Sequence, residues 1–192
     1  QLFAATGSSV LLDFNNATEI IRFVQWEYKK GLKQEGIVDY FKSESKIVIY
    51  DHYEGRVQFH TSNGSLELRN AQVNDSGTYV VTVNLNKDLV REISLLVIDP
   101  VSKPGLQTDS KLVDRPIKLS CEVEHPAAVK NVVWKKNGQL LHPDTHYVFS
   151  EDLRVLQIQN ACKSDCGSYS CNISNQVSWD EASLDLVIDG KG

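Results

Sequence analysis

Hydrophobic and polar residues alternate along this chain in short runs with a period of two. In the first half the runs are SSVLLDF, RFVQWEYK, GIVDYF, KIVIY, RVQFH, SLELR, GTYVVTVN and REISLLVI. In the second they are IKLSCEV, NVVWKK, HYVF, VLQIQ, GSYSCNIS and SLDLVI. Successive side chains of a strand point to opposite faces, so this period predicts β-strands with one buried side. NNAT, SNGS, NDSG and KNGQ punctuate the runs with turn-forming residues. No apolar repeat at helical spacing persists for about ten residues. The expected fold class is all-β.

The runs follow one plan twice. LELRNAQVNDSGTYVVTV (residues 66–83) aligns with LQIQNACKSDCGSYSCNI (residues 156–173). Leu66/Leu156, Asn70/Asn160, Ala71/Ala161, Asp75/Asp165, Gly77/Gly167 and Tyr79/Tyr169 are identical at an offset of 90. A repeat of this size predicts two similar domains rather than a solenoid, whose periods are shorter. We place them at 1–99 and 100–192. The join is VIDPVSKPG, where Pro100 and Pro104 restrict φ and favour a short, stiff connection.

Alternation also assigns the inward faces. Val10, Leu12 and Phe14 share one, as do Val24, Trp26 and Tyr28, and Tyr79, Val81 and Val83. Their counterparts are Leu119 and Cys121, then Trp134, then Tyr169 and Cys171. A buried tryptophan against an inter-sheet cysteine pair, with a tyrosine two residues before the second cysteine, is the immunoglobulin pattern. The chain thus resembles two tandem immunoglobulin-like β-sandwiches. The resemblance implies a Cys121–Cys171 disulfide in the second. In the first, the same two positions are Phe14 and Val81. A disulfide stabilises by about 2–4 kcal/mol, and two buried hydrophobes recover a similar amount at about 1.5–3 kcal/mol each.

Spacing separates the subtypes. Trp26 to Tyr79 spans 53 residues, whereas Trp134 to Tyr169 spans 35. The longer interval has room for the C′ and C″ strands of a variable-type domain, with GIVDYF and KIVIY as candidates. Arg56 and Asp75 resemble the ion pair that closes the base of such domains. The shorter interval predicts a constant, C2-type second domain. Cys162 and Cys166 lie outside the inter-sheet pair. A local disulfide across the turn before the last repeat strand is expected, with free or intermolecular thiols and a redox site as alternatives.

With 192 residues, 41% hydrophobic, the chain is long enough for two small cores. Net charge is −5 and no basic block appears, which argues against a nucleic-acid or anionic-membrane surface. No apolar run approaches the roughly 18 residues needed to cross a bilayer. No charged-then-apolar leader opens the sequence. We therefore expect an ectodomain whose signal peptide has been removed and whose membrane anchor lies elsewhere, on the extracellular face of the plasma membrane.

At the level of family, GRVQFHTSNGSLELRNAQVNDSGTYVVTV, LLVIDPVSKP and CNISNQVSWDEASLDL resemble the CD2/SLAM (signalling lymphocyte activation molecule) family of the immunoglobulin superfamily, over nearly the whole chain. Members lack the cysteine pair in the membrane-distal domain. The carcinoembryonic-antigen-related and hepatic and glial adhesion molecules share this layout. The second disulfide usual in the SLAM branch has no counterpart, because KPGLQTDSKLVDRP and SLDLVIDG contain no cysteine. The resemblance implies a cell-surface immune recognition or adhesion protein. Its partner would be a related immunoglobulin-superfamily molecule, self or paralogue, on an apposed cell, with a weak homodimer as one form. A homophilic epithelial or glial adhesion molecule and a secreted or viral decoy are the alternatives.

Four N-x-[ST] sequons, at Asn16, Asn63, Asn74 and Asn172, imply a secretory route. None falls in residues 20–62 or 77–100, which hold the C, C′, C″, F and G strands. A glycan would block a flat sheet face, so this sheet is the expected partner-binding surface. Its outward residues, by alternation, are Phe23, Gln25, Glu27 and Lys29, then Val80, Thr82 and Asn84, then Glu92, with Lys87 at the F–G loop. Tyr40 and Lys42 are expected to join from C′. His52, His60, His125, His142 and His146 are scattered, and no H-E-x-x-H, G-x-S-x-G or G-x-x-x-x-G-K is present. No enzyme activity, metal or cofactor is expected.

Overall fold

The computed structural model describes residues 1–14 and 20–190. The chain divides into two compact units, Gln1–Asp99 and Pro100–Gly192.

Among its described residues the first unit has nine strands: β1 (Leu2–Ala5), β2 (Val10–Leu12), β3 (Phe23–Lys30), β4 (Lys33–Phe41), β5 (Lys46–Ile49), β6 (Val57–Phe59), β7 (Leu66–Leu68), β8 (Gly77–Val83) and β9 (Val90–Ile98). Six form one sheet in the order β1-β9-β8-β3-β4-β5, and β2-β7-β6 form the other. The extra pair, β4 and β5, fills the long interval between Trp26 and Tyr79, as a variable-type domain requires. Strand β1 has no clear alternation in the sequence. It pairs parallel with β9, Leu2 opposite Leu95.

The core lies between these sheets. Val24, Trp26, Val81 and Val83 alternate inward from β3 and β8, against Leu12, Leu66 and Leu68 from the facing sheet. Phe14 and Val81, in place of a cystine, are both buried. The Trp26 indole N–H donates to Gly64 O at 2.9 Å, and the Tyr79 hydroxyl donates to Asp75 O at 2.6 Å. Arg56 grips Asp75 through both terminal nitrogens, Nη2 to Oδ2 at 2.6 Å and Nη1 to Oδ1 at 3.3 Å. That bidentate geometry is the strong form of a guanidinium–carboxylate contact.

The second unit repeats the scheme with eight strands among its described residues: β10 (Gly105–Thr108), β11 (Ile117–Glu122), β12 (Asn131–Lys136), β13 (Gln139–Leu140), β14 (Tyr147–Phe149), β15 (Val155–Ile158), β16 (Gly167–Ser174) and β17 (Trp179–Leu186). The sheets are β10-β11-β15-β14 and β13-β12-β16-β17. Cys121 and Cys171 are bridged across the core beside Trp134. The Trp134 indole donates to Leu153 O at 2.6 Å, and the Tyr169 hydroxyl donates to Asp165 O at 2.7 Å.

Two features depart from a plain constant-type domain. A two-residue C′ strand, β13, pairs with β12. Leu112 also bridges Asp189 in parallel, so the segment after β10 meets the segment after β17.

Cys162 and Cys166 are free thiols, contrary to the expected local disulfide. They flank a 3-10 turn, Lys163–Asp165, and are engaged in different directions. Cys162 Sγ lies 2.9 Å from Ser164 Oγ and 3.4 Å from Asp165 Oδ2, at the surface. Cys166 Sγ packs on the core and accepts the Ile188 N–H at 3.3 Å.

Candidate partner-binding face

The six-stranded sheet of the first domain presents one broad outer face, and strand register decides what lies on it. β3 alternates cleanly, so Phe23, Gln25, Glu27 and Lys29 point outward. Register across β8 and β9 sets Glu27 beside Val80 and Val80 beside Glu92, with Thr82 between Gln25 and Val90. Val80 is only 4% exposed yet stands apart from the core cluster, because its outward neighbours cover it.

Strand β4 overturns one expectation. Trp26 pairs with Val38 but Glu27 pairs with Gly36, so Ile37 is an extra residue in the ladder. Such a bulge changes side-chain parity along the strand. Ile37 and Val38 are both fully buried. Tyr40, opposite Val24, faces the core, is 8% exposed and packs on Phe59 at 5.2 Å between ring centroids. Asp39 and Phe41 take the outward places. Phe41 meets Phe23 at 4.9 Å between centroids, making an aromatic pair on the outer face.

Tyr50 completes this side. Its backbone N–H donates to the bulge carbonyl of Ile37 at 3.0 Å. Its ring lies across Gly36, where a Cβ would come within 2.8 Å of it, so only glycine admits this packing. Its hydroxyl donates to Asp39 Oδ2 at 2.8 Å, and that bond holds the Tyr50 hydroxyl above its ordinary pKa. Gln34 Nε2 donates to Glu27 Oε2 at 2.7 Å. These contacts preorganise the polar surround of the Phe23–Phe41 pair.

Three other expected face residues sit differently. Asn84 follows β8 with φ +54°. Its side chain accepts from Arg22 N at 2.8 Å and Phe23 N at 3.0 Å and donates to Ile20 O at 2.8 Å. It is a clamp on the chain entering β3, with its polar atoms already used. Lys42 is exposed but lies in the 3-10 turn Lys42–Glu44, just past β4. Lys87 is exposed in the turn Lys87–Leu89 between β8 and β9. Phe41, Asp39, Gly36 and Tyr50 were missed by alternation. The two adjacent apolar residues in GIVDYF were the only sign that parity shifts there.

Asn63 and Asn74 are exposed and lie in turns away from this face, before β7 and before β8. Asn172 lies on β16 of the second domain. Asn16 falls outside the described residues. No helix among the described residues is long and apolar enough to cross a membrane.

The immunoglobulin V-set domain family matches residues 1–96 and the immunoglobulin I-set domain family residues 107–188. The I-set assignment specifies the subtype of the shorter, constant-like second domain. Among curated proteins, human HEPACAM family member 2 is 32% identical over 76% of this chain and 33% of its own length. Human hepatic and glial cell adhesion molecule is 28% identical over 92% of this chain and 44% of its own. The chain thus spans less than half the length of these relatives. Among solved structures, murine CEACAM1b superposes with a TM-score of 0.78 at 26% identity, covering 98% of this chain and 96% of that one. The motif resemblance to the CD2/SLAM family holds at the level of the superfamily, while these relatives are named as hepatic and glial adhesion molecules.

Proposed function

The chain belongs to the immunoglobulin superfamily, with a V-set domain ahead of an I-set domain, and we propose that it is a cell-surface adhesion and recognition protein whose first domain binds a related immunoglobulin-superfamily molecule. The observation that carries this is the outer face of the β1-β9-β8-β3-β4-β5 sheet. An aromatic pair, Phe23 and Phe41, sits there among Gln25, Glu27, Lys29, Asp39 and Glu92. Apolar centres with polar rims are the usual anatomy of a protein interface. Mixed charges give specificity and on-rate more than affinity. That suits weak contacts made multivalent between apposed membranes.

Adhesion of the hepatic and glial type is favoured over a lymphocyte receptor of the CD2/SLAM type, because the curated relatives carry the former name. The partner is then a second copy of this protein or a paralogue on a neighbouring cell, and the site of action is the extracellular face of the plasma membrane. The second domain serves as a spacer.

The test is sedimentation of the purified chain together with a binding screen against related ectodomains. Glu27→Arg and Lys29→Glu each abolish association while leaving thermal stability nearly unchanged. Association that survives both substitutions excludes this face.

A further inference from the structure

Below the sheet face, at the end of the first domain closed by Arg56 and Asp75, lies a polar cleft of about 230 Å3. That is smaller than the roughly 300–1,000 Å3 of a typical small-molecule pocket, and it suits a single sugar ring. Its walls include Lys33, Glu35, His52, Arg56, Asp75 and Asn74 itself. Asn74 is the acceptor of the sequon Asn74-Asp75-Ser76.

The rest of the sequon is rigidly held. Asp75 is locked by Arg56 and also accepts Gln72 N at 2.8 Å. Ser76 Oγ accepts Val97 N at 2.9 Å. Asn74 therefore leaves an ordered 3-10 turn, Val73–Asp75, and a group attached to it starts from a fixed place beside the cleft. The walls offer the donors a sugar needs. Lys33 Nζ is 3.8 Å from Glu35 Oε1 and its side chain is 63% exposed. His52 is exposed. Arg56 uses two of its five N–H donors on Asp75, and its side chain is 33% exposed. Hydroxyls and an N-acetyl carbonyl are the neutral acceptors such donors match.

We propose that the cleft seats the first N-acetylglucosamine of an N-linked glycan on Asn74, so that the modification is a structural part of the first domain rather than a solvated appendage. The proposal needs a secretory route but is independent of what the sheet face binds.

The experiment uses the protein secreted from a mammalian line that makes only high-mannose glycans. Endoglycosidase H leaves one N-acetylglucosamine on each occupied asparagine, in the native protein and in Asn74→Gln alike. Peptide mass spectrometry is expected to find one sugar on Asn74. The native form is expected to melt higher than Asn74→Gln by about 4 °C, the shift that roughly 1 kcal/mol produces in a domain of this size. Asn74→Ser, treated in the same way, provides a second sugar-free comparison should Asn74→Gln fold poorly. In a Lys33→Ala, His52→Ala variant the increment is expected to vanish. An Asn74 peptide without sugar while Asn63 carries one overturns the proposal and leaves secretion intact. Equal melting of the single-sugar and sugar-free forms overturns it too, as does an increment that survives the double substitution.

Discussion

His146 Nε2 meets Asp165 Oδ1 at 2.7 Å, ninety positions after Arg56 meets Asp75 in the first domain. Both carboxylates sit under the tyrosine corner of their domain, and each caps the backbone N–H of the residue three positions before it. The two domains thus share a base plan with different basic side chains. A guanidinium stays charged at any physiological pH, and an imidazole is the side chain whose charge varies there.

Asp165 carries a pH-dependent share of the second domain's stability. Burial acts to raise its pKa, but the Cys162 N–H and the contacts with His146 and Cys162 outweigh it and hold Asp165 below the ordinary carboxylate range. A depressed folded pKa contributes stability that is complete above the unfolded value, near 3.9, and lost as pH falls through the folded value. Protection of the β16 and β17 amides, measured against their intrinsic exchange rates at each pH, is therefore expected to fall below about pH 4. Asp165→Asn is expected to remove that acid dependence and to cost about 1–3 kcal/mol at neutral pH.

Leu153 holds the carbonyl that receives the Trp134 indole, with φ +62°, in the role that Gly64, at φ +78°, plays beneath Trp26. A bulky L-residue in the left-handed region is strained by about 1–2 kcal/mol. Leu153 is 43% exposed, so little burial is lost on changing it. Leu153→Asn is expected to raise the second domain's melting temperature by several degrees, from about 1 kcal/mol of relieved strain. Calorimetry of the full chain checks it, and unchanged melting removes the strain argument.

Tyr40 and Phe41 are neighbours on β4 with opposite roles. Tyr40→Ala opens a cavity among core residues and is expected to cost about 3 kcal/mol of first-domain stability. Phe41→Asp forfeits the Phe23 contact and is expected to cost about 1 kcal/mol, well short of Tyr40→Ala, and to abolish partner association. Denaturant titration and sedimentation of both variants separate these outcomes. The reverse pattern would mean the bulge at Ile37 is misplaced.

The two free thiols differ in access. Cys162 is exposed and Cys166 is partly buried against the core. Brief treatment of the native protein with iodoacetamide is expected to alkylate Cys162 first and Cys166 only on unfolding. Non-reducing peptide mapping is expected to recover Cys121 linked to Cys171 alone. A Cys162–Cys166 cross-link in that map contradicts the arrangement described above.

Much of this molecule could be read from local pattern. Period-two alternation marked most strands, since it depends only on backbone geometry and burial. The 90-residue offset, Trp26 and Trp134, and Tyr79 and Tyr169 together determined two sandwiches of one kind. The interval between tryptophan and tyrosine separated the V-set domain from its shorter neighbour. The pairing of Arg56 with Asp75 was also legible, because both positions belong to a recurrent motif.

What alternation could not supply was any feature set by pairing between distant strands. The single extra residue at Ile37 turns Tyr40 into the core and Phe41 outward, and only the register against β3 reveals it. The three hydrogen bonds of Asn84 reach segments 61 to 64 positions away. Cys162 and Cys166 are close in sequence, yet one is drawn to Asp165 and the other to the Ile188 N–H, so proximity did not become a bond. The sequence by itself determined which segments are strands and that they build two immunoglobulin domains, because those follow from local periodicity and repetition. The tertiary structure alone decided which side chains lie on the sheet's outer face, because a one-residue change in register inverts a strand's two faces.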